Sequence, residues 1–206
     1  PAADLVILNG AEPESLDPAI MTAQADLRIG GSLFEGLTRF DPVDGNPIPG
    51  LAERWEISED GRVYLFHLRP QAVWSTGGSI TANDFVYSWR RVLDPATGSE
   101  YAGILFYLEH AEAYHLGQIA DPGQVGVRTV APHRLEVRLR DPTPFFLDLC
   151  ALPTLAVVPR DAIERHGDRW LLELPVPVSG AYQLAAWRIN DRDRKSTRLN
   201  SSHVSQ

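Results

Sequence analysis

The sequence predicts an α+β fold, because its segments show the hydrophobic patterns of both strands and helices. Residues 5–8 form a short, continuous apolar run, which is typical of a buried strand. Residues 63–68 place large apolar side chains on both faces of a predicted strand. Phe85 and Trp89 recur at helical spacing in the segment that follows Thr81. Both types of element are therefore expected in this chain.

The first third of the chain is predicted to contain one helix and two tight turns. Residues 25–35 carry apolar side chains at positions compatible with a helix. The pairs Asp-Pro at 41–42 and Asp-Gly at 44–45 predict a hairpin. Glu-Asp-Gly at 59–61 predicts the turn that leads into the strand at 63–68.

Two helices are predicted in the middle of the chain. Thr81 is a suitable helix N-cap, and Asp84 follows three residues later, where its carboxylate can pair with first-turn amides. This helix is expected to end at the Asp-Pro pair 94–95, because proline cannot continue it. A second helix is predicted over residues 101–116.

A hairpin and a short helix are predicted in the last third. Residues 124–130 and 134–140 alternate in polarity around Ala-Pro-His. Residues 159–167 predict a helix with Pro159 in its first turn and Gly167 at its carboxyl end.

The amino-acid composition limits the classes of function that the chain can have. With 206 residues, 44% of them apolar and 22% charged, the chain can bury one or two cores. The net charge is −8 and the basic residues are scattered among acidic ones, so nucleic acid is not expected as a partner. The one cysteine, Cys150, excludes an internal disulfide. It lies in the apolar run 145–155, which predicts a buried structural thiol.

Residues 193–206 differ from the rest of the chain. All but one of the nineteen basic residues are arginine, and the only lysine, Lys195, lies here. Residues 193–203 match, codon for codon, the translation of a widely used short-read sequencing adapter. We therefore expect residues 193–206 to be a non-native tail that makes no packing contact with the protein, the alternative being a natural polar linker.

Several short segments, in a fixed order, carry a family resemblance. They are Glu-Ser-Leu-Asp-Pro at 14–18, Leu-Phe-Glu-Gly-Leu at 33–37, Leu-Ala-Glu-Arg-Trp at 51–55, Tyr-Leu-Phe-His-Leu-Arg at 64–69, Thr-Ala-Asn-Asp-Phe-Val-Tyr-Ser-Trp at 81–89, Pro-Phe-Phe at 144–146 and Gly-Ala-Tyr-Gln-Leu at 180–184. This order resembles the oligopeptide-binding subgroup of family 5 of the bacterial extracellular solute-binding proteins, the capture subunits of peptide ABC importers.

The resemblance implies a periplasmic-binding-protein-like fold of type II, of which this chain is expected to be the amino-terminal part, with the opposing lobe missing. Residues 1–34 and 157–192 are expected to belong to the first lobe, and residues 35–156 to the small extra domain of peptide binders. Residues 1–8 show no positively charged signal-peptide region, so an export signal is expected to be absent from this sequence. The implied location is the periplasm, with or without a lipid anchor.

The same resemblance supplies four candidate ligand-binding residues. Thr22 and Gln24 lie in a loop that is expected to pair with the main chain of a bound peptide, as an added strand would. The family often has a carboxylate near Thr22, and its absence here argues against reading of the peptide's charge at that point. Tyr101 matches a tyrosine that lines the peptide cleft. Leu152 aligns with a pocket-facing histidine of close relatives, so a more apolar pocket is expected here.

No catalytic set stands out, and neither enzyme activity, nor a cofactor, nor a metal site is expected. The carboxylate pairs Glu12/Glu14 and Glu109/Glu112 lack the apolar surroundings that raise a carboxyl pKa. No HExxH, CxxC or GxSxG pattern is present, and His110 and His115 are five residues apart. The histidines are therefore predicted to be structural or solvent-facing.

The predicted function is capture of short oligopeptides in a cleft between lobes and their delivery to the membrane subunits of an ABC permease, by a monomer. The first alternative is a family 5 binder of a non-peptide solute, such as a metal chelate, haem or an opine. The second is the sensor domain of a transcription regulator.

Overall fold

The computed structural model describes residues 9–187 and the backbone of a strand at Leu199–Ser201. The predicted strand at residues 5–8 lies outside the described residues. The helices are α1 (Gln24–Leu33), α2 (Ala82–Leu93), α3 (Ala111–His115), α4 (Phe146–Leu149) and α5 (Arg160–His166). The strands are β1 (Thr38–Phe40), β2 (Pro47–Pro49), β3 (Ala52–Ile57), β4 (Val63–Leu68), β5 (Val127–Ala131), β6 (Arg134–Arg138), β7 (Tyr182–Leu184) and β8 (Leu199–Ser201). None of the described helices is long and apolar enough to cross a membrane.

The largest sheet is antiparallel and has the strand order β3-β4-β6-β5. Alternation sends Tyr64 and Phe66 of β4 to the face that α2 covers, where both rings are buried. The side chain of Phe146 fits between this sheet and α2, with ring centroids 5.0 Å from Tyr64 and 6.4 Å from Trp89. The aromatic side chains of Tyr64, Phe66, Trp74, Phe85 and Trp89 are buried in the core, and Trp55 packs at its edge.

The predicted hairpins and short helix are present. β1 and β2 pair across the turn at residues 41–46, and β5 and β6 pair around residues 132–133. Helix α5 is flanked by Pro159 and Gly167, whose φ of 54° suits glycine.

Helix α2 begins and ends where the sequence predicts, although its cap differs in detail. The Asp84 carboxylate accepts from the Thr81 N–H at 2.7 Å. The Thr81 hydroxyl donates to the same carboxylate at 2.8 Å instead of accepting from a first-turn amide. The helix stops at Asp94, immediately before proline.

The prediction of a single helix over residues 101–116 is wrong. The chain forms a 3-10 turn at Ala102–Leu105 and the separate short helix α3, and His110 between them has a φ of 60°. The reason is a strand-like contact, because the Glu109 N–H donates to the Arg138 carbonyl at 3.0 Å and the Glu109 carbonyl accepts from the Gly126 N–H at 2.8 Å. These bonds use the main-chain groups that a continuous helix would need.

Among the described residues, most buried apolar side chains form two clusters. The first contains twenty-eight of the described residues, and all of these except Ala19 lie in the range Leu37 to Val157. The second consists of Leu16, Leu33, Phe34, Ala156, Val158, Trp170, Leu171, Val176, Val178 and Leu184. The chain passes between the clusters at two adjacent places, joined by a bond from the Val157 N–H to the Glu35 carbonyl at 3.1 Å.

The thiol of Cys150 is fully buried, which confirms the predicted burial, and desolvation raises its pKa well above the usual value. A thiol of this kind is a packing group and a poor nucleophile, because the reactive thiolate is disfavoured.

Three residues of the predicted non-native tail pair with the protein. β8 runs antiparallel to β7, with Tyr182 opposite Ser201 and Leu184 opposite Leu199. The expectation that the tail makes no contact is therefore wrong for β8. Strand pairing uses main-chain groups, so an exposed edge such as β7 accepts a segment of almost any sequence.

The foreign origin of residues 193–206 stays a prediction that the gene itself can test. Amplification of the locus from source DNA is expected to give different codons after residue 192. A natural gene that encodes Lys195 and the residues around it would contradict the prediction.

Candidate functional site

The candidate ligand loop, residues 18–23, lies between the buried Asp17 and the start of α1. Thr22 is half-buried, and Gln24, the first residue of the helix, is exposed. The N–H groups of Ile20 and Met21 both donate to the Asp17 carbonyl at 3.0 Å, which gives the loop a tight first turn. Both candidate residues of this segment are therefore at least partly accessible to solvent.

A buried carboxylate at Asp26 holds the second half of the loop. Asp26 is 1% exposed and accepts main-chain hydrogen bonds from Glu14 at 2.9 Å, Thr22 at 3.3 Å and Ala23 at 3.2 Å. Sequence analysis missed this residue. The signal was a carboxylate at the third position of the helix, but the N-cap is Ala23, which is not one of the usual capping residues.

The Met21 side chain anchors the middle of the loop. It is 1% exposed, and a Cβ built at Gly30 would overlap its sulfur and methyl group. Glycine at position 30 therefore provides the notch in α1 that receives Met21.

The first turn of the loop is tied to α2 by an ion pair. The Asp17 carboxylate is 4% exposed and receives both guanidinium ends of Arg91, at 2.8 and 2.6 Å. It also accepts from the Trp170 indole N–H at 3.1 Å and from the Ala19 N–H at 3.0 Å. Burial lowers the pKa of the Arg91 guanidinium, but bonding to Asp17 more than offsets this, so the pKa is raised overall.

Leu152 and Tyr101 occupy different places. Leu152 is half-buried and precedes the 3-10 turn Pro153–Leu155, whose Pro153 lies 3.8 Å from a Cβ built at Gly31 of α1. Tyr101 is 41% exposed and precedes the 3-10 turn Ala102–Leu105. Among the described residues, no hydrogen bond or ring contact joins Tyr101 to the other three candidates.

Two open depressions flank these elements. One, of about 290 Å³, lies at the carboxyl end of α1, where burial raises the pKa of the Glu35 carboxyl against the opposing charges of Arg39 and Arg69. The other, of about 320 Å³, is lined in part by the exposed ion pair of Arg140 and Glu112. Neither contains a candidate ligand residue.

Two histidines of the described region, His67 and His115, make structural contacts. His67 is 7% exposed, with Nε2 2.8 Å from Glu56 and Nδ1 3.0 Å from Arg54. The Nδ1 of His115 bonds to the Leu93 carbonyl at 2.9 Å. Within residues 9–187, no group of three or more His, Cys, Asp or Glu side chains is arranged to hold a metal ion.

Comparison with known proteins identifies the family of this chain. The family model for the bacterial extracellular solute-binding proteins, family 5, middle region, matches residues 46–195. The chain belongs to this family. It is 41% identical over 189 residues to the periplasmic oligopeptide-binding protein OppA of Salmonella typhimurium, covering 91% of this chain and 34% of that protein. This family 5 chain therefore spans about a third of the length of the curated relatives it matches.

Solved structures of the family share the fold. The OppA of Haemophilus influenzae in complex with RPPGFSPFR superimposes with a TM-score of 0.83 at 36% identity, over 88% of this chain and 36% of that one. One relative carries a different ligand in its name. The "Probable deoxycholate-binding periplasmic protein YgiS" of Escherichia coli is 39% identical over 186 residues, covering 89% of this chain and 34% of the relative.

Proposed function

We propose that the complete family 5 protein captures short peptides in the periplasm and delivers them to the membrane subunits of an ABC importer. The observation that carries the proposal is the 41% identity to the oligopeptide-binding OppA over 91% of the chain. No bond is made or broken in this function. Closure of two lobes around the ligand supplies the affinity, and Thr22, Gln24, Tyr101 and Leu152 are the proposed ligand contacts of this segment.

The two clusters of buried residues support a division into two structural units. We propose that residues 35–156 form the small extra domain and that residues 1–34 and 157–192 belong to the first lobe. Each cluster draws nearly all its residues from one of these sets, and the chain crosses between them at Glu35 and Val157. A core of its own is the physical criterion for a domain.

The proposed function is tested by titration calorimetry of the complete protein, expressed from the full gene. Unmodified peptides of about two to five residues are expected to release heat with saturable binding. Deoxycholate is the comparison ligand, because YgiS, a relative of similar identity, is named for it. Binding of deoxycholate, a metal chelate or haem with no response to any peptide would sink the proposal.

A further inference from the structure

The Asp26 carboxylate stands out because it is buried with amide partners and no cation. Its oxygens accept three main-chain N–H bonds, and no ion pair to Asp26 exists among the described residues. Its position in the first turn of α1 adds the favourable end of the helix dipole. Ordinary capping needs one or two of these contacts. The bonds to Thr22 and Glu14 tie further chain to the helix start.

These bonds decide which main-chain groups the ligand loop can offer. The N–H groups of Thr22 and Ala23 are turned inward to Asp26. The Ala23 carbonyl accepts from the N–H groups of Asp26 and Leu27, both at 3.0 Å. No described residue bonds to the Thr22 carbonyl or to the Gln24 N–H. The Thr22 carbonyl and the Gln24 N–H are therefore left for a ligand.

We propose that Asp26 is a positioning residue for ligand binding. By holding two N–H groups inward, it fixes the loop so that the Thr22 carbonyl and the Gln24 N–H meet the main chain of an extended peptide. Such an edge accepts an N–H from the ligand and donates to one of its carbonyls, as in an added strand. The proposal rests on the proposed peptide-binding function and adds a residue that does not itself touch the ligand.

Asp84 provides a matched control that tests whether Asp26 has a purely structural role. Asp84 occupies the same third position of α2 and also accepts from the N–H of its N-cap residue, Thr81. The loop before α2 contains none of the candidate ligand residues. Asp84→Asn therefore weakens the capping interaction, because the acceptor loses its charge, without altering the ligand loop.

The test measures peptide affinity of the complete protein and of its Asp26→Asn and Asp84→Asn variants, well below their unfolding temperatures. An unmodified tripeptide is compared with analogues that are N-methylated at one main-chain nitrogen each. Asp26→Asn is expected to weaken the unmodified tripeptide about tenfold, and Asp84→Asn less than twofold. For the analogue that lacks the N–H bound by Thr22, Asp26→Asn is expected to cause no further loss.

Amide exchange provides a readout that needs no variant. In the wild-type protein without peptide, the N–H groups of Thr22 and Ala23 are expected to be protected, and that of Gln24 to become protected only when peptide is added. Equal losses in both variants, equal losses for every analogue, or unprotected Thr22 and Ala23 amides would overturn the proposal. Failure of the wild-type protein to bind any peptide would instead reject the proposed function.

Discussion

Asp17→Asn is expected to lower the free energy of unfolding of the complete protein by about 3 kcal/mol. The substitution keeps the size of the side chain but leaves the Arg91 guanidinium without its counter-charge. The Arg91 side chain is only 17% exposed, so water replaces little of the lost interaction. The Trp170 indole and the Ala19 N–H lose a charged acceptor as well. Urea unfolding followed by tryptophan fluorescence measures the change.

The control for this prediction is Arg160→Gln. Arg160 and Glu164 form an ion pair one helical turn apart, at 2.7 Å, but both side chains are more than half exposed. Solvent-exposed pairs of this kind contribute little, because water and salt screen them. The unfolding midpoint of this variant is expected to stay near that of the wild type. A midpoint shift as large as that of Asp17→Asn would contradict the importance given to burial.

Phe146→Ala is expected to lower the free energy of unfolding by about 3 to 5 kcal/mol. The ring is fully buried between the sheet and α2, where it contacts Tyr64, Phe66 and Trp89 at centroid distances of 5.0, 6.5 and 6.4 Å. Truncation removes apolar contact area and leaves a cavity that the surrounding rings cannot fill. The same urea titration measures the loss.

The neighbouring residue is a matched control. Phe145 is 46% exposed, and its ring has one described ring contact, with Tyr107 at 5.3 Å. Phe145→Ala removes an identical side chain from the surface and is expected to cost about 1 kcal/mol. Comparable losses for the two variants would show that the arrangement of the core around Phe146 is wrong.

Local patterns predicted the elements that local physics controls. The N-cap at Thr81 and the proline after Asp94 set the two ends of α2. The segment over residues 101–116 shows where such reasoning stops. Its composition is compatible with a helix, but pairing of Glu109 with Arg138 and Gly126 provides a better use of its main-chain groups. Contacts between distant segments leave no periodic trace in the sequence.

The candidate site also contains both residues that the sequence predicted and residues that only the structure revealed. Thr22, Gln24, Tyr101 and Leu152 came from motif resemblance, and their contact with ligand stays a proposal. Asp26 was missed because Ala23 stands where a capping residue is usual, so the local pattern was incomplete. Asp17 lies in one of the motifs that carry the family resemblance. Its partners Arg91 and Trp170, however, are 74 and 153 residues away in the sequence, so no local pattern predicts them.

The sequence by itself determined the family, the α+β class, the position of α2 and the short hairpins, because motif order, capping and turn chemistry act within a few residues. The tertiary structure alone decided how the ligand loop is held. Its anchors are the notch at Gly30, the buried carboxylate of Asp26 and the ion pair between Asp17 and Arg91. Each depends on close approach of groups whose burial and pairing exist only after the chain has folded.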